Sequence, residues 1–219
     1  MAKKKAEILL KSNPYPGLFI DIEGLDGSGA TTQANLLREL FKKSVKKVFI
    51  TKEPTDNIIG GLIRGALTGI HQLSPAGLQL LFVADRIHHL DREIAPILKN
   101  SSILISDRYL WSTVAFGSIN VDKNWLLGLH RYCFLPDITI LLKVSPKECF
   151  KRISQERFEL QLFEKEKQKK QVWQTYQWLA KKFPKHIYIV DGEQKPEKVS
   201  ENIFKIVSKH PKAKKLLKR

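Results

Sequence analysis

The 219-residue sequence predicts an α/β fold, with a five-stranded parallel sheet flanked by helices. Short apolar segments rich in β-branched residues alternate with longer segments whose apolar residues recur at helical spacing. That alternation is typical of βαβ units, in which a helical crossover connects two parallel strands and covers a face of the sheet. A glycine-rich turn separates the first of these strands from the first helix, as expected at the start of such a unit.

Each predicted strand is short, apolar and bounded by turn residues. The first strand, Gly17–Glu23, reads GLFIDIE, and Thr31–Lys43 after it has the apolar spacing of a helix. The other four strands are predicted at Lys47–Thr51, Ile103–Ser106, Ile138–Val144 and Ile187–Val190. The longest predicted helices are Pro75–Leu98 and Leu162–Lys182.

We expect one domain spanning residues 1–219, because a chain of this length with 42% hydrophobic residues can bury one substantial core. The sequence shows no internal repeat and no interdomain linker. Prolines lie at predicted element boundaries, where a missing amide is tolerated. These boundary prolines are Pro54, Pro136, Pro146 and Pro184.

The net charge of +16 favours polyanionic partners, but its distribution weakens that inference. Much of the charge lies in two basic ends, residues 1–11 and 207–219. We predict that both ends are solvated and mobile. Nucleic acid is an unlikely partner by this argument, because no aromatic residue is interleaved with the basic residues of Lys209–Arg219.

The sequence suggests neither a membrane span nor a disulfide framework. No apolar run approaches the ~18 residues that a spanning helix needs. The two cysteines, Cys133 and Cys149, lack the spacing of a zinc site. We therefore expect a cytoplasmic protein with no membrane association.

The turn after the first strand resembles a phosphate-binding loop. It fits the pattern GxxxxGK(S/T), except that alanine replaces the lysine. Glycines in such a loop let backbone amides converge on phosphate oxygens, and the following helix N-terminus adds partial positive charge. Its hydroxyl makes Thr31 a candidate magnesium ligand. A plain glycine-rich turn is the alternative for the loop alone. The loop consists of Gly24, Leu25, Asp26, Gly27, Ser28, Gly29, Ala30, Thr31 and Thr32.

A second polar segment, Asp107-Arg108-Tyr109, directly follows the predicted strand Ile103–Ser106. The carboxyl ends of parallel strands are where open α/β sheets bind ligands. A carboxylate at this place can hold magnesium, so Asp107 is a candidate metal ligand beside Thr31. A surface ion pair between Asp107 and Arg108 is the alternative.

In order and spacing, four segments together resemble the thymidylate kinase family. They are the loop Gly24–Thr32, Lys52-Glu53-Pro54, Phe82 with Arg86, and Asp107-Arg108-Tyr109 followed by Ser112–Phe116. The resemblance covers residues 17–206. It implies a three-layer P-loop NTPase fold, ATP and Mg²⁺ as co-substrate and cofactor, dTMP as phosphate acceptor, and a homodimer.

The resemblance also implies roles for individual residues. Asp26 would contact the sugar 3′-hydroxyl, while Phe82 would stack on thymine and Arg86 would bond its carbonyl. Groups implied at the acceptor phosphate are Lys52, Glu53, Arg64 and Arg108. Ser112 and Phe116 would line the acceptor pocket. Asp191-Gly192 would approach adenine. Family members carry their catalytic arginine either in the phosphate loop or in a lid. Gly27 stands at the loop position here, so a lid at residues 151–162 would supply Arg152 or Arg157 instead.

The sequence departs from the family pattern at three further positions. Ala30 replaces the loop lysine, Lys52 replaces an arginine, and Gly117 replaces a polar residue that reads the thymine edge, a task that Ser112, Thr113 or Ser118 could take over. Two alternatives follow from these departures. The protein could phosphorylate another nucleoside monophosphate or a deoxynucleoside, or it could be a catalytically impaired nucleotide-binding protein.

Overall fold

A parallel five-stranded sheet forms the centre of the fold. Across the sheet, its strands lie in the order β3 (Val48–Lys52), β4 (Ile103–Asp107), β2 (Leu18–Gly24), β6 (Ile138–Lys143) and β7 (Ile187–Asp191). The computed structural model describes residues 10–153 and 159–218, without the side chains of 159–166. All five predicted strands are confirmed to within one residue. A separate parallel pair joins β1 (Lys11–Ser12) to β5 (Phe134–Leu135).

Helices cover both faces of the sheet, as predicted. They are α1 (Ala30–Lys42), α2 (Ile58–Leu67), α3 (Pro75–His89), α4 (Ala95–Lys99), α5 (Leu110–Gly117), α6 (Lys123–Leu129), α7 (Pro146–Ile153), α8 (Glu159–Lys182), α9 (Pro196–Val207) and α10 (Pro211–Leu217). Among the described residues, we find no helix with the length and apolarity that a bilayer crossing requires.

Two hydrophobic cores lie on opposite faces of the sheet because successive side chains of a strand point to opposite sides. On one face, Leu18, Ile20 and Ile22 of β2 pack with α1, α9 and α10. On the other face, Phe19 packs with residues of α5 and α8. The central strand is therefore buried throughout, including its two carboxylates Asp21 and Glu23.

The long helix predicted at Pro75–Leu98 consists of three segments in the structure. Ser74 caps its start by accepting a hydrogen bond from the Gly77 amide at 3.1 Å. A π-helical turn, Leu90–Ile94, then connects α3 to α4. Pro96 follows this turn and has no N–H to donate, so a regular α-helical ladder cannot continue unbroken there.

The prediction of a solvated, mobile C-terminal end was wrong for residues 211–217. This segment forms α10, in which Ala213 and Leu216 are buried in the core that also contains Ile203 of α9. The Lys212 ammonium pairs with Asp137 at 2.8 Å. Two apolar residues three positions apart anchor the helix, although lysines dominate the composition. Residues 1–9 and 219 lie outside the described residues.

Candidate active site

Two adjoining cavities lie at the carboxyl ends of the central strands. The first has a volume of about 650 Å³ and is lined by the phosphate loop together with Lys52, Arg64 and Asp107. The second has a volume of about 450 Å³ and is lined chiefly by α3 and α5. The residues that line both cavities are Asp26, Glu53, Pro54, Leu67 and Arg108. A ligand in one cavity would therefore meet a ligand in the other at a shared wall.

The phosphate loop has the backbone geometry that its glycines predict. Gly27 and Gly29 adopt positive φ angles of 87° and 93°, which other residues rarely adopt. Gly29 precedes the first residue of α1, so the N-terminal amides of that helix open towards the first cavity. A Cβ atom at Gly27 would approach the Cys149 carbonyl to 2.4 Å. This contact explains why a larger residue such as arginine does not occur at position 27.

The two candidate magnesium ligands meet in the structure. The Thr31 hydroxyl at the start of α1 donates a hydrogen bond to the Asp107 carboxylate at the end of β4. Within the described residues, no cluster of three or more His, Cys, Asp or Glu side chains is arranged to hold a metal ion. One carboxylate and one hydroxyl suit Mg²⁺, which keeps several waters and takes phosphate oxygens as ligands.

Three cationic side chains bond to backbone carbonyls of the loop that lacks a lysine. Arg108 Nη1 donates to Gly24 O at 3.0 Å, and Arg152 Nη1 donates to Ser28 O at 3.3 Å. Lys169 Nζ, from α8, donates to Asp26 O at 3.2 Å. Arg152 also donates to Gly192 O at 3.1 Å and thereby connects the loop to the segment after β7. Sequence reasoning missed Lys169, since an exposed lysine-rich helix gives no local signal.

Arg108 stands between the two cavities. Its backbone has a φ of 72°, a conformation uncommon for a residue other than glycine. The guanidinium pairs with Asp26 at 2.6 Å and lies 5.1 Å from the centre of the Phe116 ring. It also donates to the Ser112 hydroxyl at 3.2 Å. Arg108 thus presents positive charge to both cavities from a position fixed by several contacts.

A buried carboxylate, Glu23, supports this region and was also missed from the sequence. It accepts hydrogen bonds from the amides of Tyr109 and Ser112 at 3.1 and 3.0 Å. The Tyr176 hydroxyl of α8 donates to it at 2.7 Å. Burial raises the pKa of Glu23, and Arg108 and these hydrogen bonds oppose that rise. Glu23 therefore fixes the start of α5, from which Ser112 and Phe116 reach the second cavity.

The side chain of Arg86, only 1% exposed, lies at the base of the second cavity. Its Nη2 pairs with Glu53 at 2.5 Å and donates to Thr113 Oγ1 at 3.1 Å. Its Nη1 lies 2.6 Å from His130 Nε2. The Nε–H has no hydrogen-bond partner among the described residues. Glu53 is occupied by buried partners, so its geometry fits a positioning group for Arg86 better than a direct phosphate contact.

Two buried histidines lie beside this network, and their pKa values are shifted in opposite directions. Burial opposes charge on His89, but the hydrogen bonds and charges of Glu53 and Glu93 outweigh burial and raise the pKa of His89 to about 9. His89 Nδ1 lies 3.0 Å from Glu53 and its Nε2 lies 2.6 Å from Thr51 Oγ1. Burial and the charge of Arg86 lower the pKa of His130 to about 3. Neutral His130 accepts from Arg86 while its Nδ1–H donates to Leu126 O at 2.7 Å.

These shifts predict a maximum of folding stability near pH 6.5. The contribution of His89 is fully present below about pH 6.5 and is lost as the pH rises through about 9. The contribution of His130 is fully present above about pH 6.5 and is lost as the pH falls towards 3. At about 1.4 kcal/mol per pKa unit, these shifts correspond to roughly 3 kcal/mol for His89 and roughly 5 kcal/mol for His130 across their windows.

Urea unfolding between pH 4.5 and 9.5 tests this expectation. The variant His89→Gln should flatten only the alkaline limb of the profile, and His130→Gln only the acid limb. A His89→Gln protein with an unchanged alkaline slope would show that the network does not hold a charged imidazole.

The remaining predicted site residues divide into those that line the cavities and those that do not. Lys52 and Arg64 both line the first cavity. Lys52 Nζ pairs with Asp56 at 3.0 Å, and Arg64 Nη1 donates to Thr55 O at 2.6 Å. Phe82, Ser112 and Phe116 line the second cavity. Asp191 and Gly192 line neither. Arg157 lies outside the described residues.

Three hydroxyls could take over the task of a polar side chain at position 117, and one of them, that of Ser118, does not line the second cavity. The Ser118 hydroxyl bonds to Ala115 O at 3.0 Å and to Thr175 Oγ1 at 2.9 Å. Ser112 and Thr113 line the second cavity, but both are already engaged by arginine side chains.

Comparisons with known proteins agree with this geometry. The family pattern described as Thymidylate kinase matches residues 22–203. The chain is 39% identical over 199 residues to a probable thymidylate kinase of Thermococcus onnurineus, covering 87% of this chain and 97% of the relative. It is 39% identical over 200 residues to a probable thymidylate kinase of Pyrococcus horikoshii, covering 87% and 96%.

A solved structure shows the same architecture. The thymidylate kinase of Ehrlichia chaffeensis superposes with a TM-score of 0.69 at 26% identity, covering 87% of this chain and 98% of that one. A family pattern that matches most of the chain, relatives similar over nearly their full lengths and a shared fold lead to one conclusion: this chain belongs to the thymidylate kinase family.

Proposed function

We propose that this protein transfers the γ-phosphate of ATP to dTMP, giving ADP and dTDP, with Mg²⁺ as cofactor. The observation that carries the proposal is the pair of adjoining cavities that share Asp26 and Arg108. The first cavity is lined by the phosphate loop and by the Thr31–Asp107 pair, which suit a nucleoside triphosphate and its Mg²⁺. The second has an aromatic side chain and a buried arginine suited to a base.

Phosphoryl transfer depends on positioning and on charge neutralisation rather than on a protein nucleophile. In the proposed mechanism, amides of the loop and of the α1 N-terminus hold the phosphates of ATP. Arg108, Arg64 and Lys52 orient the acceptor phosphate at the shared wall. Thr31 and Asp107 would hold Mg²⁺, which when bound would supply positive charge beside the transferring phosphate. We assign Arg152 of the lid segment, which bonds to Ser28 O, to the donor phosphates.

The acceptor base occupies the second cavity in this proposal. Phe82 and Arg86 are four residues apart on α3 and therefore share a face of that helix. Phe82 stacks on the ring, and Arg86 donates to a ring carbonyl. Glu53 acts by holding Arg86, and Asp26 receives the sugar hydroxyl. Each assignment uses a side chain that lines this cavity.

An ADP-release assay over a panel of acceptors tests the proposed function. The panel contains dTMP, dUMP, dCMP, dGMP and thymidine, each with ATP and Mg²⁺. We expect dTMP to give the highest kcat/KM. A higher value for another monophosphate or for thymidine would replace dTMP as substrate. Binding of ATP and dTMP without turnover would favour the impaired nucleotide-binding protein that Ala30 suggests.

A homodimer and a cytoplasmic location complete the proposal. Exposed apolar side chains lie on α2, on α3 and in the segment between them, and soluble monomers rarely expose large contiguous apolar patches. They include Ile58, Leu62, Leu67, Leu73 and Leu80. Cys133 and Cys149 are buried free thiols, as a reducing compartment permits. Sedimentation of the protein and of Leu80→Glu tests the dimer: an unchanged monomeric mass in both would contradict it.

A further inference from the structure

An unpartnered amide lies in the wall of the second cavity. Gln79 of α3 is 7% exposed and lines this cavity. Its side-chain amide makes no hydrogen bond with the residues that the structure describes. Phe82 and Arg86 follow it at three and seven positions and line the same cavity, so the three side chains share one face of α3. The cavity is therefore the space from which a ligand can supply a hydrogen-bond partner for this largely buried amide.

Gly117 of α5 makes room for this amide. A Cβ atom at position 117 would lie 2.8 Å from Gln79 Oε1 and 2.9 Å from its Cδ. Any larger residue there would displace the Gln79 side chain. The Gln79 amide can therefore take up this position only because residue 117 has no side chain. A polar group enters the cavity from α3 in place of one from α5.

The Gln79 amide and the Arg86 guanidinium contact α5 about one helical turn apart. Arg86 bonds to Thr113, and the Gln79 amide abuts Gly117, one turn further along α5. One turn of helix rises about 5 Å, close to the width of a pyrimidine. Arg86 can only donate hydrogen bonds, whereas an amide oxygen accepts them. A ring carbonyl next to a ring N–H matches this pair of groups.

We propose that Gln79 is a specificity-determining residue that accepts a hydrogen bond from N3–H of a pyrimidine-2,4-dione base. The inference rests on the proposed function. Thymine and uracil present a carbonyl at C4 to Arg86 and N3–H to Gln79 Oε1. Cytosine presents an amino group at C4 and no proton on N3, so it loses both contacts. Gln79 and Arg86 together thus select the acceptor base.

Separate calorimetric titrations with dTMP, with dCMP and with ATP, each as the sole ligand, test the role of Gln79 independently of catalysis. The variant Gln79→Met preserves side-chain length and removes the amide. We expect Kd for dTMP to rise about tenfold or more, with little change for dCMP or for ATP. The matched control is Gln177→Met, at an exposed position of α8, which should change none of the three values. Circular dichroism verifies that each variant is folded.

A second variant tests the arrangement of the two helices. Gly117→Ala should shift the end of the flexible Gln79 side chain without disturbing the backbone, and should lower the preference for dTMP over dCMP. In the Gln79→Met background the same change should not lower that preference further, because no amide remains to be displaced.

The outcomes separate this inference from the proposed function. If the starting protein prefers dTMP and Gln79→Met keeps the same preference, the inference is overturned and the proposed function stands. If the starting protein does not bind dTMP, both are overturned. A loss of preference in Gln79→Met and in Gly117→Ala, but not in Gln177→Met, supports the assignment.

Discussion

The Asp107→Asn protein is expected to turn over at least about 100-fold more slowly than the starting protein, with little change in thermal stability. Asp107 ends β4 and accepts a hydrogen bond from Thr31. The asparagine carbonyl can still accept that bond, so the fold loses little. The substitution removes the negative charge that we assign to the magnesium site.

Single-turnover measurements over a range of magnesium concentrations test this expectation. The rate of Asp107→Asn should recover in part at high magnesium, because weaker binding is overcome by mass action. Asp91→Asn, at an exposed position of the π-helical turn, is the matched control and should behave like the starting protein. An Asp107→Asn enzyme with full activity at low magnesium would remove Asp107 from the metal site.

Arg152→Ala is expected to lower single-turnover phosphorylation by about 100-fold or more, because the loop lacks the lysine that neutralises the donor phosphates. Arg152 bonds to Ser28 O and Gly192 O, which places its charge beside the loop. In an Ala30→Lys background the same substitution should cost much less, since the restored ammonium takes over part of that charge. The two positions should therefore be non-additive.

The control for this cycle is Arg38→Ala, which removes a surface arginine of α1 that pairs with Glu39. Two results would contradict compensation by Arg152. One is a starting protein with no activity that becomes active only with Ala30→Lys. The other is equal loss from Arg152→Ala with and without the lysine, which would leave Lys169 or Arg108 as the compensating cation.

The sequence was sufficient to predict the sheet and the meeting of Thr31 with Asp107. Apolar runs such as Ile138–Val144 identify strands because parallel strands are buried on both faces. The carboxyl ends of neighbouring parallel strands share one edge of the sheet, so residues that follow β2 and β4 must lie close together. Local pattern and topology were enough for both inferences.

Other parts of the site depend on contacts between residues distant in the sequence. Lys169 reaches Asp26 across 143 positions, and His130 reaches Arg86 across 44. Nothing near a buried histidine or an exposed lysine in the sequence identifies such a partner. The position of the Gln79 amide likewise depends on Gly117, which lies on another helix. At α10, the lysine-rich composition led to the wrong prediction of a solvated end, because only two buried residues anchor this helix.

The π-helical turn changes the phase of the helix that carries Phe82 and Arg86. Arg86 and Leu90 are buried on one side of it. Continued as a regular α-helix, that side would next include Ile97; instead Leu98 is fully buried and Ile97 only partly. The turn therefore accommodates one residue more than a regular helix would need. Each α-helical residue turns the chain by about 100°. A relative whose helix runs straight through this region should thus be one residue shorter between the equivalents of Arg86 and Leu98.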